Sequence, residues 1–217
     1  EYLVRKMVQS KMQSYVPVCD LELDSRPKGS LVSFDAYDDN GAGNVAGKVS
    51  GIKTWDDFVN DVSKVRYYLE ARENTPWILH CEDSYYFTVA LLAMLQSGRK
   101  ALVTANRQEA FIKEIKKPEY GFLTDEPFVC DAGECSATMI QDVLAEKAGD
   151  NDGGNAHKIK FGKFDKSKAE MVMYTSGTTG EPKAVYKLFL QFENELFELV
   201  KVFGNDWVNR KVYSTVN

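Results

Sequence analysis

The chain has 217 residues, 44% hydrophobic and 12% aromatic, enough to bury a substantial core and too apolar for wholesale disorder. Its formal charge is −5, from 27 Lys and Arg against 32 Asp and Glu, and no run of basic residues gives the footprint of a nucleic-acid binder. The longest strongly apolar segment, Tyr85 to Leu95, is far short of a membrane span, and no secretory leader is visible, so a cytoplasmic protein is expected.

Residues 1–53 read as an N-terminal arm and loop, and 54–217 as an α/β sub-domain. Leu3, Met7, Met12 and Tyr15 fall at loosely helical spacing between Arg5, Lys6 and Lys11, which predicts an amphipathic leading helix. Leu31 to Phe34 is a short apolar run. The Gly-, Asn- and Asp-rich stretch Asp38 to Gly51 then predicts a turn or hairpin tip.

Thr54 is placed to cap a helix whose first turn carries Asp56 and Asp57 and whose apolar face is Phe58, Val62, Val65 and Leu69. Trp77-Ile78-Leu79 after Pro76 predicts a buried strand, followed by a helix capped by Asp83 or Ser84, running through Gln96 and closed by Gly98. A strand at Lys100 to Thr104, a helix at Gln108 to Lys116, and strands at Gly121 to Thr124 and near Phe128 to Cys130 continue the alternation. Such βαβα order implies a doubly wound, mainly parallel sheet flanked by helices, with ligands beyond the carboxyl ends of its strands.

Gly149 to Gly154 is a polar, glycine-rich break before the basic, aromatic stretch His157 to Lys168. Met171 to Tyr174 is a β-prone run, Pro182 to Tyr186 is extended again, Leu188 to Phe203 reads as a helix and Lys211 to Thr215 as a last strand. Cys19, Cys81, Cys130 and Cys135 are read as reduced thiols. The close pair Cys130 and Cys135 lacks a second pair at matching spacing, and His80 and His157 stand alone, so no residue is assigned to a metal.

Between the two extended runs lies the string Tyr174 to Lys183, YTSGTTGEPK. Gly177 and Gly180 permit backbone angles that turn successive N–H groups toward one concavity, and the hydroxyls of Thr175, Ser176, Thr178 and Thr179 add donors for phosphate oxygens. Lys183 adds a positive charge. The string fits neither the Walker pattern nor the dinucleotide G-x-G-x-x-G pattern, which argues against a P-loop NTPase or a Rossmann dehydrogenase.

This string resembles the phosphate-binding signature of the adenylate-forming (AMP-binding, acyl-CoA synthetase-like) superfamily, which includes acyl-CoA synthetases, adenylation domains of nonribosomal peptide synthetases and luciferases. Weaker resemblance runs through Thr54 to Leu69, Asp83 to Gly98 and Asp165 to Tyr174. The likeness covers the first half of a family member, and implies the N-terminal sub-domain of an adenylate-forming enzyme, incomplete at the C-terminus. Glu1 in place of an initiator Met, and an end inside the apolar run Val212 to Asn217, accord with that expectation.

The resemblance implies a ligase that joins a small-molecule carboxylate to AMP from Mg-ATP, releasing pyrophosphate, and then passes the acyl group to the thiol of coenzyme A or of an acyl carrier protein's pantetheine. It assigns the β- and γ-phosphates to Thr175, Ser176, Gly177, Thr178, Thr179, Gly180 and Lys183. Adenine-binding, ribose-binding and catalytic Lys segments are expected beyond Asn217. A nucleotide-binding or structural fragment without activity of its own is the alternative. One departure stands out: where many acyl-CoA synthetases continue toward a His that lines the acyl site, this chain has Ala184-Val185-Tyr186-Lys187-Leu188. Lys187 and the following Gln191-Phe192-Glu193 suggest a branch that hands acyl groups to carrier proteins, while Lys187 and Glu193 read equally as solvated residues near a helix start.

Overall fold

The computed structural model describes residues 31–32, 53–128, 136–146, 164–175 and 182–207. The expected helix within residues 2–15, the loop 38–51, the break 149–154 and the last strand 211–215 lie outside the described residues.

Strand β1 (Leu31–Val32) pairs antiparallel with β2 (Lys53–Thr54), Leu31 opposite Thr54. Helix α1 (Trp55–Glu70) follows at once, started by a capping box: Thr54 Oγ1 accepts from the Asp57 amide at 3.2 Å while Asp57 Oδ2 accepts from the Thr54 amide at 2.9 Å. The Thr54 hydroxyl, donating to Asp57 Oδ2 at 2.6 Å, and then the Thr54 amide hold the Asp57 carboxyl below the usual carboxylate range. The predicted apolar face Phe58, Val62, Val65 and Leu69 is buried. Asp61 is buried on the same helix, where it accepts from Tyr85 Oη at 2.6 Å and pairs with Lys53 Nζ at 3.1 Å, tying β2 to the helices. Burial, and then the Asp61 carboxylate, push the Tyr85 phenol well up.

Six further strands and four helices complete the described fold: β3 (Trp77–His80), α2 (Ser84–Gln96), β4 (Ala101–Thr104), α3 (Glu109–Ile115), β5 (Gly121–Thr124), β6 (Thr138–Met139), α4 (Ile140–Ala145), β7 (Glu170–Thr175), the edge strand β8 (Lys183–Leu188) and α5 (Phe189–Trp207). The sheet order is β6-β5-β3-β4-β7-β8, parallel throughout except that β8 runs antiparallel to β7. This is the mainly parallel, helix-flanked sheet expected from the alternation.

Successive side chains of a strand point to opposite faces. On one face Trp77, Leu79, Ala101 and Leu123 pack against α1, α2 and α4. On the other, Ile78, Leu102, Phe122 and Val172 pack with Ile112 and Ile115 of α3. Gly121 must be glycine for packing reasons: a Cβ there would sit 2.3 Å from the Trp77 ring. Gly98 takes φ 68° after α2, the left-handed angle that ends a helix cheaply only in glycine. Arg99 then turns back to donate to the carbonyls of Leu69 and Arg72, capping α1.

Three elements differ from expectation. Phe128 belongs to no strand; its ring packs 5.0 Å from Phe122, and residues 129–130 lie outside the described part. Strand β6 and helix α4 were not anticipated, being two and six residues long, too short to display a period.

Candidate phosphate-binding edge

The strands' carboxyl ends form a row along one edge of the sheet. His80 of β3 registers with Thr124 of β5, and Thr104 of β4 with Tyr174 of β7. Tyr174 is half-buried and meets Phe111 of α3 edge-on, rings 6.0 Å apart at 90°, which anchors the end of β7 on the α3 face. Beyond it the chain turns back into β8, and register sets Thr175 directly opposite Lys183. The two ends of the predicted phosphate string are thus closed into a hairpin mouth at the carboxyl edge. Lys183 is exposed. Ser176, Gly177, Thr178, Thr179 and Gly180 lie outside the described residues.

The amides of the turn from β3 into α2 are already occupied. Asp125, 4% exposed at the end of β5, accepts from the amides of Glu82 at 3.0 Å and Asp83 at 2.8 Å. Asp83 caps α2, its Oδ1 accepting from the Tyr85 amide at 2.7 Å and the Tyr86 amide at 3.3 Å. Free N–H groups at a helix start are the usual anion cradle. Here two carboxylates already fill it, and their charge repels a phosphate. Burial and then the Asp125 charge push the thiol of Cys81, in the same turn, far up, which disfavours its thiolate.

The other strand ends close on themselves in the same manner. Thr104 Oγ1 accepts from the Asn106 amide at 3.0 Å, and Thr124 Oγ1 from the Glu126 amide at 3.2 Å. Gln141 Nε2 donates to the Asp125 carbonyl at 2.7 Å, fastening α4 to the edge. Sequence reading missed Asp125, although an Asp straight after an apolar strand was the available signal.

The residues singled out after the string all have partners within the fold. Glu193 is not solvated, as one expectation had it: it is 2% exposed and binds Lys166 Nζ at 2.7 Å. Lys187 pairs with Glu195 Oε1 at 2.6 Å, and Gln191 Oε1 accepts from the Leu188 amide at 2.8 Å at the start of α5. Among the described residues, no three His, Cys, Asp or Glu side chains gather into a group able to hold a metal ion. No described helix is long and apolar enough to cross a membrane.

No protein-family model and no curated protein matches the sequence. Solved structures do match. One is the o-succinylbenzoate CoA synthetase MenE from Bacillus subtilis bound with its product analogue OSB-NCoA, 22% identical with a TM-score of 0.52 over 76% of this chain and 33% of that one. MenE in complex with AMP is 21% identical, TM-score 0.51, over 75% of this chain and 42% of that one. McyG A-PCP complexed with phenylalanyl-adenylate is 14% identical, TM-score 0.55, over 74% and 27% respectively. The chain therefore has the fold of the N-terminal subdomain of the adenylate-forming enzymes. It spans between 27% and 42% of the length of these three chains.

Proposed function

We propose that this chain supplies the pyrophosphate-holding part of an ATP-dependent adenylate-forming ligase. The carrying observation is the hairpin mouth: Thr175 opposite Lys183, at the carboxyl edge of a parallel sheet whose neighbouring β3–α2 turn is already filled by Asp83 and Asp125. On this reading Thr175, Ser176, Thr178 and Thr179 donate to the β- and γ-phosphates, Gly177 and Gly180 shape the loop, and Lys183 supplies the cation. Donors fixed before reaction stabilise charge that develops on the departing pyrophosphate without reorganising. Mg2+ would enter with ATP as part of the substrate.

The substrate is a small carboxylic acid, activated as its adenylate and then transferred to a thiol of coenzyme A or of a carrier-protein pantetheine. Solved neighbours support the activation step of that scheme: MenE is known in complex with ATP and magnesium ion and with an acyl-adenylate intermediate. The chain carries the phosphate grip and leaves carboxylate activation to segments outside it. The test is the ATP dependence of adenylation by the full-length protein. Lys183→Ala and Thr178→Ala should each raise KM for ATP or lower kcat at least tenfold, leaving the carboxylate KM little changed. Unchanged ATP kinetics in both variants would remove the loop assignment.

A further inference from the structure

Tyr174 and Thr175 are the last residues of β7, and Lys183 opens β8 directly opposite Thr175. The two arms of this mouth are held unequally. On the β8 side Lys183, Ala184, Val185 and Tyr186 are all exposed, Tyr186 to 70%, so that arm takes its position from the ladder to β7. On the β7 side the ladder to β4 ends at the pair Thr104 and Tyr174. The aim of both arms therefore rests on how firmly the end of β7 is seated.

Tyr174 lies on the same face of β7 as Val172, and its ring joins the cluster of Ile78, Leu102, Ile112 and Phe122 on the α3 side of the sheet. Its aromatic partner there is Phe111, met edge-on at 6.0 Å and 90°, the geometry in which a ring's positive edge meets its partner's negative face. Phe111 is seated independently of β8. Thr104 Oγ1 accepts from the Asn106 amide at 3.0 Å and Asn106 Oδ1 from the Gln108 amide at 2.9 Å, which sets the turn leading into α3. Glu109 then pairs with Lys113 at 2.6 Å along α3, and Ile112 beside Phe111 is fully buried. The end of β4 thus grips the end of β7 twice, through the ladder and through the Phe111 ring.

We propose that Phe111 is a positioning residue of the phosphate mouth, holding the Tyr174 ring so that the chain at Thr175 and Lys183 stays aligned on the β- and γ-phosphates of ATP. The inference rests on the reading of Tyr174 to Lys183 as the phosphate grip. Phe111 acts through Tyr174 and touches no phosphate. A mouth already held in place loses little freedom when the phosphates enter, whereas one with an unclamped Tyr174 must be ordered at that moment. The effect is confined to ligands that carry a β-phosphate, because AMP does not reach the grip.

The experiment compares Kd for Mg-ATP and for AMP by calorimetric titration of the full-length protein. Phe111→Leu, which keeps apolar bulk and loses the ring, should raise Kd for Mg-ATP about three- to tenfold, the scale of one edge-on ring pair, and leave Kd for AMP unchanged. Phe111→Tyr keeps the ring and should restore the parent value. Phe128→Leu removes another ring pair of the same cluster, 5.0 Å from Phe122, and should move neither Kd. Unchanged Mg-ATP binding in Phe111→Leu, when Lys183→Ala weakens it, would overturn the role of Phe111 and leave the mouth standing. Equal weakening of AMP, a matching loss in Phe128→Leu, or no recovery in Phe111→Tyr would overturn it as well, marking the ring as general packing. If Lys183→Ala also leaves Mg-ATP binding unchanged, the phosphate grip itself falls, and this inference with it.

Discussion

Asp125→Ala is the change that most directly tests the closed β3–α2 turn. The side chain is 4% exposed and its two oxygens accept from the Glu82 amide at 3.0 Å and the Asp83 amide at 2.8 Å. Truncation removes both acceptors together and leaves one buried and one partly buried N–H without a partner. A buried group stranded in this manner costs about 1–3 kcal/mol, and the partly buried one less, so the sum is about 2–4 kcal/mol. For a chain of this size that corresponds to a fall in Tm of about 5–15 °C. Asp125→Asn keeps one accepting oxygen and should lose about half as much. Urea denaturation followed by far-UV circular dichroism gives both values by linear extrapolation. A loss below about 0.5 kcal/mol for the alanine variant, the ordinary scale of an indifferent surface change, would refute the cradle.

Gly121→Ala should destabilise by about 1–3 kcal/mol, the usual penalty of overpacking, because its Cβ would fall 2.3 Å from the Trp77 ring; an unchanged urea midpoint would contradict that packing. Asp57→Asn should weaken the chain only where Asp57 is ionised. The folded pKa is held below the unfolded value, so the stabilisation is present above about pH 4 and is lost as pH falls through the folded value. Denaturation at pH 7 should show a gap between parent and variant that has closed by about pH 2, well below the unfolded value; a gap of constant size would rule out the capping box as its source.

Much of the fold was legible because its signals are local. Thr54 with Asp57 marks the start of α1, the spacing of Phe58, Val62, Val65 and Leu69 marks its face, and Gly98 marks the end of α2. What stayed hidden depends on contacts distant in sequence. Asp125 serves a turn some forty residues earlier, at |i−j| of 42 and 43. Asp61 falls on the buried face by its helical period, and a charge is tolerated there because Tyr85 and Lys53 satisfy it. Glu193 looked like a surface residue until Lys166 was placed beside it. The candidate site divides in the same way: the glycines and hydroxyls in Tyr174 to Lys183 are the basis of the proposed phosphate grip and are visible in the sequence, whereas the filling of the neighbouring turn by Asp83 and Asp125 emerged only from the fold.

The central claim is adenylate formation, and carboxylate-dependent exchange of labelled pyrophosphate into ATP by the full-length protein tests it most directly. With a panel of aliphatic, aromatic and amino acids, at least one should drive exchange that Lys183→Ala suppresses at least tenfold. No exchange with any acid in the panel, from protein shown to be folded, would contradict the account.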